Sequence, residues 1–461
     1  MFALSSYDYP LPKHLIATAP IYPREAAKLL VYDRAKEHIT HTTFAHLLEF
    51  IPKDCIIALN NTRVLKARIY GKKLGTQTSR EIFFHRFATR DDFSVLASSA
   101  NTLESTCASS LDSSALALCQ IRGRVKLGDI FVCARFYAQV VALLDNGYRA
   151  IRFFSLKDSA LRDKSAIAAR ALRLHTPSMR PCAPLQSPDF SSQTLESQNG
   201  SRDYALGAQS SHSPTAKQAI AVQGKAEAGF FRNPRILEEA KGAERESIAT
   251  LTPLSQEAVL AMLEEIGHIP LPPYIKRASN DNDIKDYQTL FATQAGAIAA
   301  PTASLHLSAT MLEALKEQIA YLTLHIGAGT FASVDIPDIR EHTMHTESLH
   351  ITAQALKKLL CAKSRLCVGT SALRSVEFAA RLYESHPKPY ADLHAQCDIF
   401  LHLGNKPRYV DYLLTNFHLP KSTLTMLVAS MVGYEQWRKI YEQAIAKGYR
   451  FYSYGDAMLI L

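Results

Sequence analysis

Short apolar runs separated by turn residues dominate the first third of the chain. Residues 28–32 and 55–59 are apolar stretches that end in polar loops, which is typical of buried strands. Between about residues 64 and 154 such runs follow one another, as in Glu81–His85 and Gln139–Leu143, with Gly and Asn-Gly turns between them. This spacing predicts a small β-barrel or sandwich.

Helix and strand patterns alternate in the last part of the chain. Ser255 precedes an amphipathic helix pattern that ends near Gly267, and helix patterns at 308–320, 352–362 and 371–383 alternate with apolar strands. Such alternation predicts ligand-binding loops at the ends of the strands. We therefore expect an α/β fold, in which a layered α/β main domain carries an inserted small β-barrel domain.

The patterns also predict domain boundaries. We expect a discontinuous α/β domain over residues 1–62 and 255–461, a β-barrel-like domain over 63–156, and a low-complexity insert over 157–254. The insert is rich in Ser, Ala, Gln and charged residues and has little sustained periodicity. We therefore expect it to be largely disordered.

Composition narrows the class of protein. The 461 residues are 47% apolar, no stretch is long and apolar enough to span a bilayer, and the N-terminus lacks the pattern of a signal peptide. We expect a cytoplasmic protein with no membrane partner. The eight cysteines include no Cys-x-x-Cys pair, which disfavours a disulfide framework and a zinc ribbon. A formal charge of +9 favours, weakly, a polyanionic partner such as nucleic acid.

The candidate chemistry lies in polar loops that follow apolar strands. Within residues 410–433, Asn416, His418 and Lys421 precede a helix that Ser422 can cap. A helix N-terminus offers free N–H groups and a partial positive charge, which suit a carboxylate or a phosphate. A capped turn with a solvated His and Lys explains the local pattern equally well.

A second loop, after the strand at 321–326, contains His325, Gly327, Gly329 and Thr330. The small residues let a ligand approach the backbone closely, and Thr330 can donate a hydrogen bond to it. For the glycines alone, a tight turn without a ligand is the simpler interpretation.

Residues 340–347 form the densest titratable cluster of the chain. His342, His345 and Glu347 have the chemistry to bind a metal or to share protons. The cluster matches neither helical zinc motif and has no obvious third ligand. Acid–base chemistry or substrate orientation therefore explains it better than a metal, and surface histidines remain the alternative.

Three further loops follow strands. In residues 368–377, Ser371 can cap a helix, and Arg374 can either clamp a carboxylate or form an intrahelical ion pair with Glu377, worth about 0.2–0.5 kcal/mol. Taken singly, the loops at 60–63 and 301–306 are ordinary turns. Together the polar loops predict one composite pocket, and these last two add Asn60, Asn61, Arg63, Thr302 and His306 to its candidate residues.

Several long motifs occur in a fixed order along the chain. They are Asn60-Asn-Thr-Arg-Val, Pro270-Leu-Pro-Pro-Tyr-Ile, Tyr287-Gln-Thr, Leu324-His-Ile-Gly-Ala-Gly-Thr-Phe, Thr415-Asn-Phe-His-Leu-Pro-Lys-Ser-Thr-Leu and Tyr454-Gly-Asp-Ala-Met. In these motifs the chain resembles the S-adenosylmethionine:tRNA ribosyltransferase-isomerase family of queuosine biosynthesis. The resemblance covers the chain apart from the insert and the loop near 90–115.

The resemblance implies an enzyme and its substrates. The ribosyl moiety of S-adenosylmethionine is transferred to 7-aminomethyl-7-deazaguanine at the wobble position of tRNA and is isomerised there, giving epoxyqueuosine, adenine and methionine. S-adenosylmethionine is thus a co-substrate and tRNA the partner. No metal is expected, because the sulfonium supplies the driving force. We also expect a monomer.

Motif positions suggest roles for individual residues. We expect His325 and His345 to transfer protons and Glu347 to orient one of them. Arg374 and the loop at 416–421 would bind the anionic parts of the substrates, and Asp456, in the last motif, is a further substrate-binding candidate.

Two other functions are compatible with parts of the pattern. A S-adenosylmethionine-dependent tRNA methyltransferase is disfavoured because no acidic Gly-x-Gly loop follows the first strand. A non-catalytic RNA-binding protein would use the β domain as a platform. That alternative gives the titratable loops of the other domain no purpose.

Overall fold

The computed structural model describes residues 1–76, 78–89, 92, 115–144, 147–156, 251–331, 334–387 and 389–461. The predicted disorder of the insert at 157–254 falls almost entirely outside these residues. The chain divides into two units, Met1–Ser155 with Thr252–Leu461, and Leu156–Leu251, which lies almost entirely outside the described residues. The description below concerns the larger unit.

Strands and helices follow the predicted order. The strands are β1 (Lys28–Asp33), β2 (His38–Thr43), β3 (Cys55–Asn60), β4 (Thr62–Val64), β5 (Arg68–Lys73), β6 (Ser79–Phe87), β7 (Leu116–Ile121), β8 (Ile130–Cys133), β9 (Phe136–Leu143), β10 (Arg149–Leu156), β11 (Leu251–Pro253), β12 (Gln294–Ala297), β13 (Ile319–Leu324), β14 (Glu347–Ile351), β15 (Ser364–Val368), β16 (Leu393–Cys397), β17 (Tyr412–Asn416) and β18 (Ala457–Ile460). The helices are α1 (Leu47–Phe50), α2 (Gln256–Ile266), α3 (Asp281–Asp286), α4 (Ala309–Leu315), α5 (Ala353–Leu360), α6 (Thr370–Ser385), α7 (Thr423–Val432) and α8 (Tyr434–Ala446). Short 3₁₀ turns occur at Leu4–Tyr7, Lys13–Leu15, Arg24–Ala26, Phe44–His46, Thr302–Ser304, Ala328–Phe331 and Ile339–Glu341.

A nine-stranded sheet forms the α/β part, in the order β16-β14-β13-β3-β15-β17-β18-β1-β2. The four central strands β13, β3, β15 and β17 run parallel, so their carboxyl ends meet at one edge. Successive residues of β3 are buried on opposite faces. Ala58 joins one apolar cluster, which includes residues of α5–α8, while Ile57 and Leu59 join a second, which includes residues of α4. The predicted layered α/β architecture is confirmed.

A second sheet closes on itself as a barrel. Its strands follow the order β10-β7-β6-β5-β8-β9, and β9 also pairs with β10. Alternate residues such as Ile69, Ile82 and Phe84 are buried in its core. Val259 and Met262 of α2 join this core, so the helix after the predicted boundary at residue 255 packs on the barrel. The predicted small β-barrel is confirmed.

One predicted helix is shorter than its pattern indicated. The helix expected over 308–320 ends at Leu315, because the apolar run from Ile319 pairs with β3 as strand β13. Its start is as the sequence indicates, since the Ser308 hydroxyl accepts the N–H of Met311 at 3.3 Å.

No helix in the described ranges is long and apolar enough to cross a membrane.

The buried carboxylate of Glu377 joins α6 to the residues that precede strand β17. Glu377 is fully buried, and its Oε1 accepts the N–H groups of Arg408, Tyr409 and Val410 at 2.6–2.9 Å. Its Oε2 accepts from Arg381 at 3.2 Å. The carboxylate thereby fixes the chain just before β17 against the middle of α6.

We expect Glu377→Ala to lower the free energy of unfolding by about 3 kcal/mol, because three backbone N–H groups and Arg381 lose their buried acceptor. Urea unfolding followed by circular dichroism measures the change. Glu384→Ala is the matched control on the same helix, since Glu384 makes an exposed ion pair with Arg408 and its loss should change stability little. Equal effects of the two substitutions would contradict the assigned role of Glu377.

Candidate active site

A cleft of about 840 Å³, including space open to solvent, lies at the carboxyl edge of the parallel strands. Its lining includes Ile326 after β13, Gly369 after β15 and Thr415 of β17. Each predicted polar loop except the one at 60–63 contributes to it. The predicted site residues that line the cleft are Thr302, Thr330, Glu347, Ser371, Arg374, Asn416, His418 and Ser422.

An ion pair between Glu347 and Arg374 is buried in the wall of the cleft. Glu347 is 3% exposed and Arg374 6%, and Nη1 of Arg374 donates to Oε2 of Glu347. Arg374 also donates from Nε to the carbonyl of Ile399 at 3.1 Å and from Nη2 to that of Cys397 at 3.4 Å. Burial, the largest single influence, raises the pKa of Glu347, but the charge of Arg374, the neighbouring His345 and the N–H of Gly327 together outweigh it, so the pKa is lowered. The carboxyl group is therefore ionised at neutral pH.

Of the two roles that the sequence allowed for Arg374, the intrahelical ion pair with Glu377 is wrong. Glu377 binds Arg381 and the backbone N–H groups described above, and Arg374 binds Glu347, so the intrahelical pair of Arg374 with Glu377 does not form.

His345 lies beside the other oxygen of Glu347. Its Nε2 is 3.6 Å from Oε1 of Glu347, which is too long for a hydrogen bond but close enough to become one with a small movement. The same Oε1 accepts the N–H of Gly327 at 3.0 Å. A Cβ at position 329 would lie 2.6 Å from the His345 ring, so the absence of a side chain at Gly329 makes room for the imidazole.

The two helices that begin at the cleft differ in their capping. Gly369 precedes α6 with φ +92° and supplies no capping side chain, so the first N–H groups of α6 lack a side-chain acceptor at the cleft. At α7, in contrast, Oγ of Ser422 accepts the N–H of Thr425 at 3.2 Å, as the sequence predicts. The stronger candidate for binding an anion is therefore the start of α6.

The loop before α7 is held by internal contacts. Oδ1 of Asn416 accepts the hydroxyl of Thr302 at 2.8 Å, which joins two of the predicted loops. His418 makes a 2.8 Å hydrogen bond with Thr415, and burial lowers its pKa to about 3, so its ring is neutral at physiological pH. Lys421 is 2.6 Å from Asp8 and is not among the residues that line the cleft. The expected anion-binding charge of Lys421 thus has a partner within the protein.

Three predicted residues do not line the cleft. Their side chains are buried and form hydrogen bonds with other parts of the protein. Asn60 donates to the carbonyl of Leu324 at 3.0 Å and accepts its N–H at 3.1 Å. His306 contacts the carbonyl of Gly455 at 2.8 Å. Asp456 accepts the N–H of Arg450 at 2.7 Å. These side chains hold loops and strands together.

Other candidates lie outside the lining altogether. His325 forms a 2.8 Å hydrogen bond with Thr62, and burial, with the nearby His350, lowers its pKa. The structure does not bring His325 and His345 together in the cleft. Three more predicted residues bind protein groups elsewhere: Asn61 accepts from Thr323 at 2.7 Å, Arg63 donates to Glu264 at 2.8 Å, and His342 packs edge-on against Phe400 with ring centroids 5.2 Å apart.

Aromatic residues that were not assigned a role form one side of the cleft. Tyr274 and Tyr452 both line it, with ring centroids 4.5 Å apart, and Tyr287 lies beside them. Tyr452 has φ +73°, an uncommon conformation for a residue other than glycine. The N–H of Ser453 donates to the Tyr274 hydroxyl at 3.0 Å. The sequence motifs at 270–275 and 287–289 contain Tyr274 and Tyr287, and these motifs were the signal by which the two tyrosines could have been predicted as site residues.

Comparisons with known proteins show the family of the chain. A family model described as queuosine biosynthesis protein matches residues 4–172 and 196–460. The chain belongs to this family. The resemblance inferred from the motifs is thereby confirmed.

Similar proteins share this family assignment. Proteins named S-adenosylmethionine:tRNA ribosyltransferase-isomerase are 41% identical to the chain in Helicobacter pylori and in Helicobacter acinonychis, each alignment covering 100% of this chain and 99% of the relative. The protein of that name from Helicobacter hepaticus is 38% identical and is covered to 97%. A solved structure, the S-adenosylmethionine tRNA ribosyltransferase of Thermotoga maritima, aligns with 21% identity and a TM-score of 0.41 over 99% of this chain and 100% of that one.

We expect Glu347→Gln to lower the free energy of unfolding at pH 7 by about 3 kcal/mol, because Arg374 is left buried without a charged partner. The pKa of Glu347 is lowered by folding, so its stabilisation is complete above the unfolded-state value of about 4.5 and is lost as the pH falls through the folded-state pKa. The difference in stability between wild type and variant should therefore be constant from pH 7 to about pH 5.5 and narrow at lower pH.

Urea unfolding at a series of pH values measures this difference. Glu313→Gln, which removes an exposed partner of Lys316, serves as the control and should show little change at any pH. A difference for Glu347→Gln that stays the same throughout acid pH would refute the buried, ionised state of this carboxyl group.

Proposed function

We propose that this chain transfers and isomerises the ribosyl moiety of S-adenosylmethionine onto 7-aminomethyl-7-deazaguanine at the wobble position of tRNA, giving epoxyqueuosine, adenine and methionine. The observation that carries the proposal is the convergence of the polar loops on one cleft. Thr330, Arg374 and Asn416 come from three separate loops of the sequence and line the same space. The family membership of the chain supports the same activity.

The cleft has features suited to each part of S-adenosylmethionine. Tyr274 and Tyr452 offer ring faces against which a purine can stack. The uncapped start of α6, at Thr370 and Ser371, offers N–H groups to the methionine carboxylate.

The reaction requires a group that removes a proton beside the sulfonium and a group that protonates the departing adenine. We assign proton transfer to His345, because its ring lies next to Glu347 and is partly exposed. Glu347 is a poor base, since Arg374 lowers its pKa and its oxygens are already accepting hydrogen bonds. Its proposed role is to orient His345. The reaction so described uses no metal.

The proposed function is tested with purified protein, S-adenosylmethionine and tRNA that carries 7-aminomethyl-7-deazaguanine. Nucleoside mass spectrometry identifies the modified base, and chromatography quantifies adenine and methionine. Epoxyqueuosine together with an equal amount of adenine is the expected result. S-adenosylhomocysteine would instead indicate a methyltransferase, and binding of tRNA without any product from folded protein would indicate a non-catalytic RNA-binding protein.

We expect Gly329→Ala to lower kcat by about 100-fold, because the new Cβ would lie 2.6 Å from the His345 ring and displace a group that transfers protons. The matched control is Gly327→Ala, since a Cβ there meets nothing within 4 Å and the N–H bound by Glu347 is retained. Initial rates of adenine release, with thermal unfolding of each variant, measure both effects. Equal turnover in the two variants would show that His345 does not transfer protons in the reaction.

A further inference from the structure

Two histidines lie side by side on the β14–β16 strand pair, near the carboxyl end of β14 and the amino end of β16. His350 of β14 lies directly opposite His394 of β16, with ring centroids 4.2 Å apart and planes inclined by 10°. Directly paired residues of antiparallel strands point to the same face of the sheet. The backbone therefore holds both imidazoles close together on one surface.

Asp392 adds a carboxylate to this pair. Its Oδ1 accepts the N–H of Ala353, which begins α5, so the carboxylate is fixed in place. Its Oδ2 lies 3.8 Å from Nε2 of His350, beyond hydrogen-bond distance. That Nε2 is buried and has no hydrogen-bond partner. A buried polar atom without a partner is uncommon in folded proteins and points to a ligand or water.

We propose that His350, His394 and Asp392 bind a divalent transition-metal ion, with Zn²⁺ as the occupant. One donor atom from each residue lies within 4.8 Å of the others. In a tetrahedral zinc centre with bonds of about 2.1 Å, donors lie about 3.4 Å apart. Rotation of the exposed His394 side chain would close this difference, with the Asp392 carboxylate pivoting about the oxygen that is bound to Ala353.

The ligand types favour this class of ion. Two imidazoles and one carboxylate suit zinc and its first-row neighbours, whereas Mg²⁺ and Ca²⁺ prefer oxygen ligands only. The alternative is a solvated His–Asp pair. A metal ion supplies the partner that the buried Nε2 of His350 lacks, and it also uses the second imidazole and the carboxylate, whereas in the alternative a water molecule would have to bind Nε2.

The position of the site gives the ion a structural role. It would join β14, β16 and, through Asp392, the first turn of α5. At the other end of the same strand pair, Glu347 lies opposite Cys397, whose carbonyl accepts from Arg374. An ion at this end would therefore stiffen the strands that hold the buried ion pair of the cleft, without touching the cleft itself.

The test starts from full-length protein that has been freed of metal with a chelator. Isothermal titration with Zn²⁺ should give one ion per chain, Co²⁺ should give the visible absorption of a tetrahedral centre, and Zn²⁺ should raise the unfolding temperature. His394→Ala and Asp392→Asn should each weaken Zn²⁺ binding by about 100-fold. Both residues are exposed, so the metal-free variants should unfold like the metal-free wild type.

His46→Ala is the matched control, because His46 is an exposed histidine that pairs with Glu49 away from the cluster. It should leave Zn²⁺ binding unchanged. The proposal is overturned if wild-type protein binds no Zn²⁺ in this titration, or if binding persists unchanged in both His394→Ala and Asp392→Asn.

Discussion

The cleft depends on one buried ion pair, formed by Glu347 and Arg374. Two charges removed from water are tolerated only when their hydrogen-bonding groups are satisfied, since each unpaired charge costs several kcal/mol. Here Arg374 donates to Glu347 and to the carbonyls of Ile399 and Cys397. The pair therefore fixes the position of α6 relative to β14 and β16, and any displacement of one element would leave a charge without a partner.

The neighbouring groups take their positions from this pair. Since Glu347 is already held by Arg374, its second oxygen is free to receive the N–H of Gly327 and to face His345. The glycine-containing loop after β13 is thus tied to the pair from one side. The start of α6 is tied to it from the other, because Arg374 lies in the second turn of that helix. The polar wall of the cleft follows from a single electrostatic requirement.

The sequence predicted the parts of this arrangement that local pattern controls. Polar loops after apolar strands were placed correctly at the carboxyl edge, and Ser255 and Ser422 cap their helices as expected, whereas the expected cap of α6 by Ser371 is wrong. Partners distant in sequence were beyond its reach. The sequence offered Glu377, one turn from Arg374, as its partner, whereas the fold brings Glu347 of β14 to Arg374 of α6.

The same limit explains the other differences. Lys421 forms an ion pair with Asp8, which is distant in sequence, and Asp456 accepts a backbone N–H. Neither residue therefore presents its charge to the cleft. Tyr274 and Tyr452 are distant in sequence, and only folding brings their rings together.

The pairing of β1 with β18 affects how the chain folds during synthesis. Leu29 pairs with Ala457, so the interior strand β18 is synthesised 428 residues after its neighbour β1. Until then, the β1–β2 hairpin has an open edge whose N–H and carbonyl groups can pair with another chain. Contacts so distant in sequence also slow folding. The central sheet therefore stays incomplete while the intervening residues are synthesised, and during that time the open edge of β1 is available for non-native pairing.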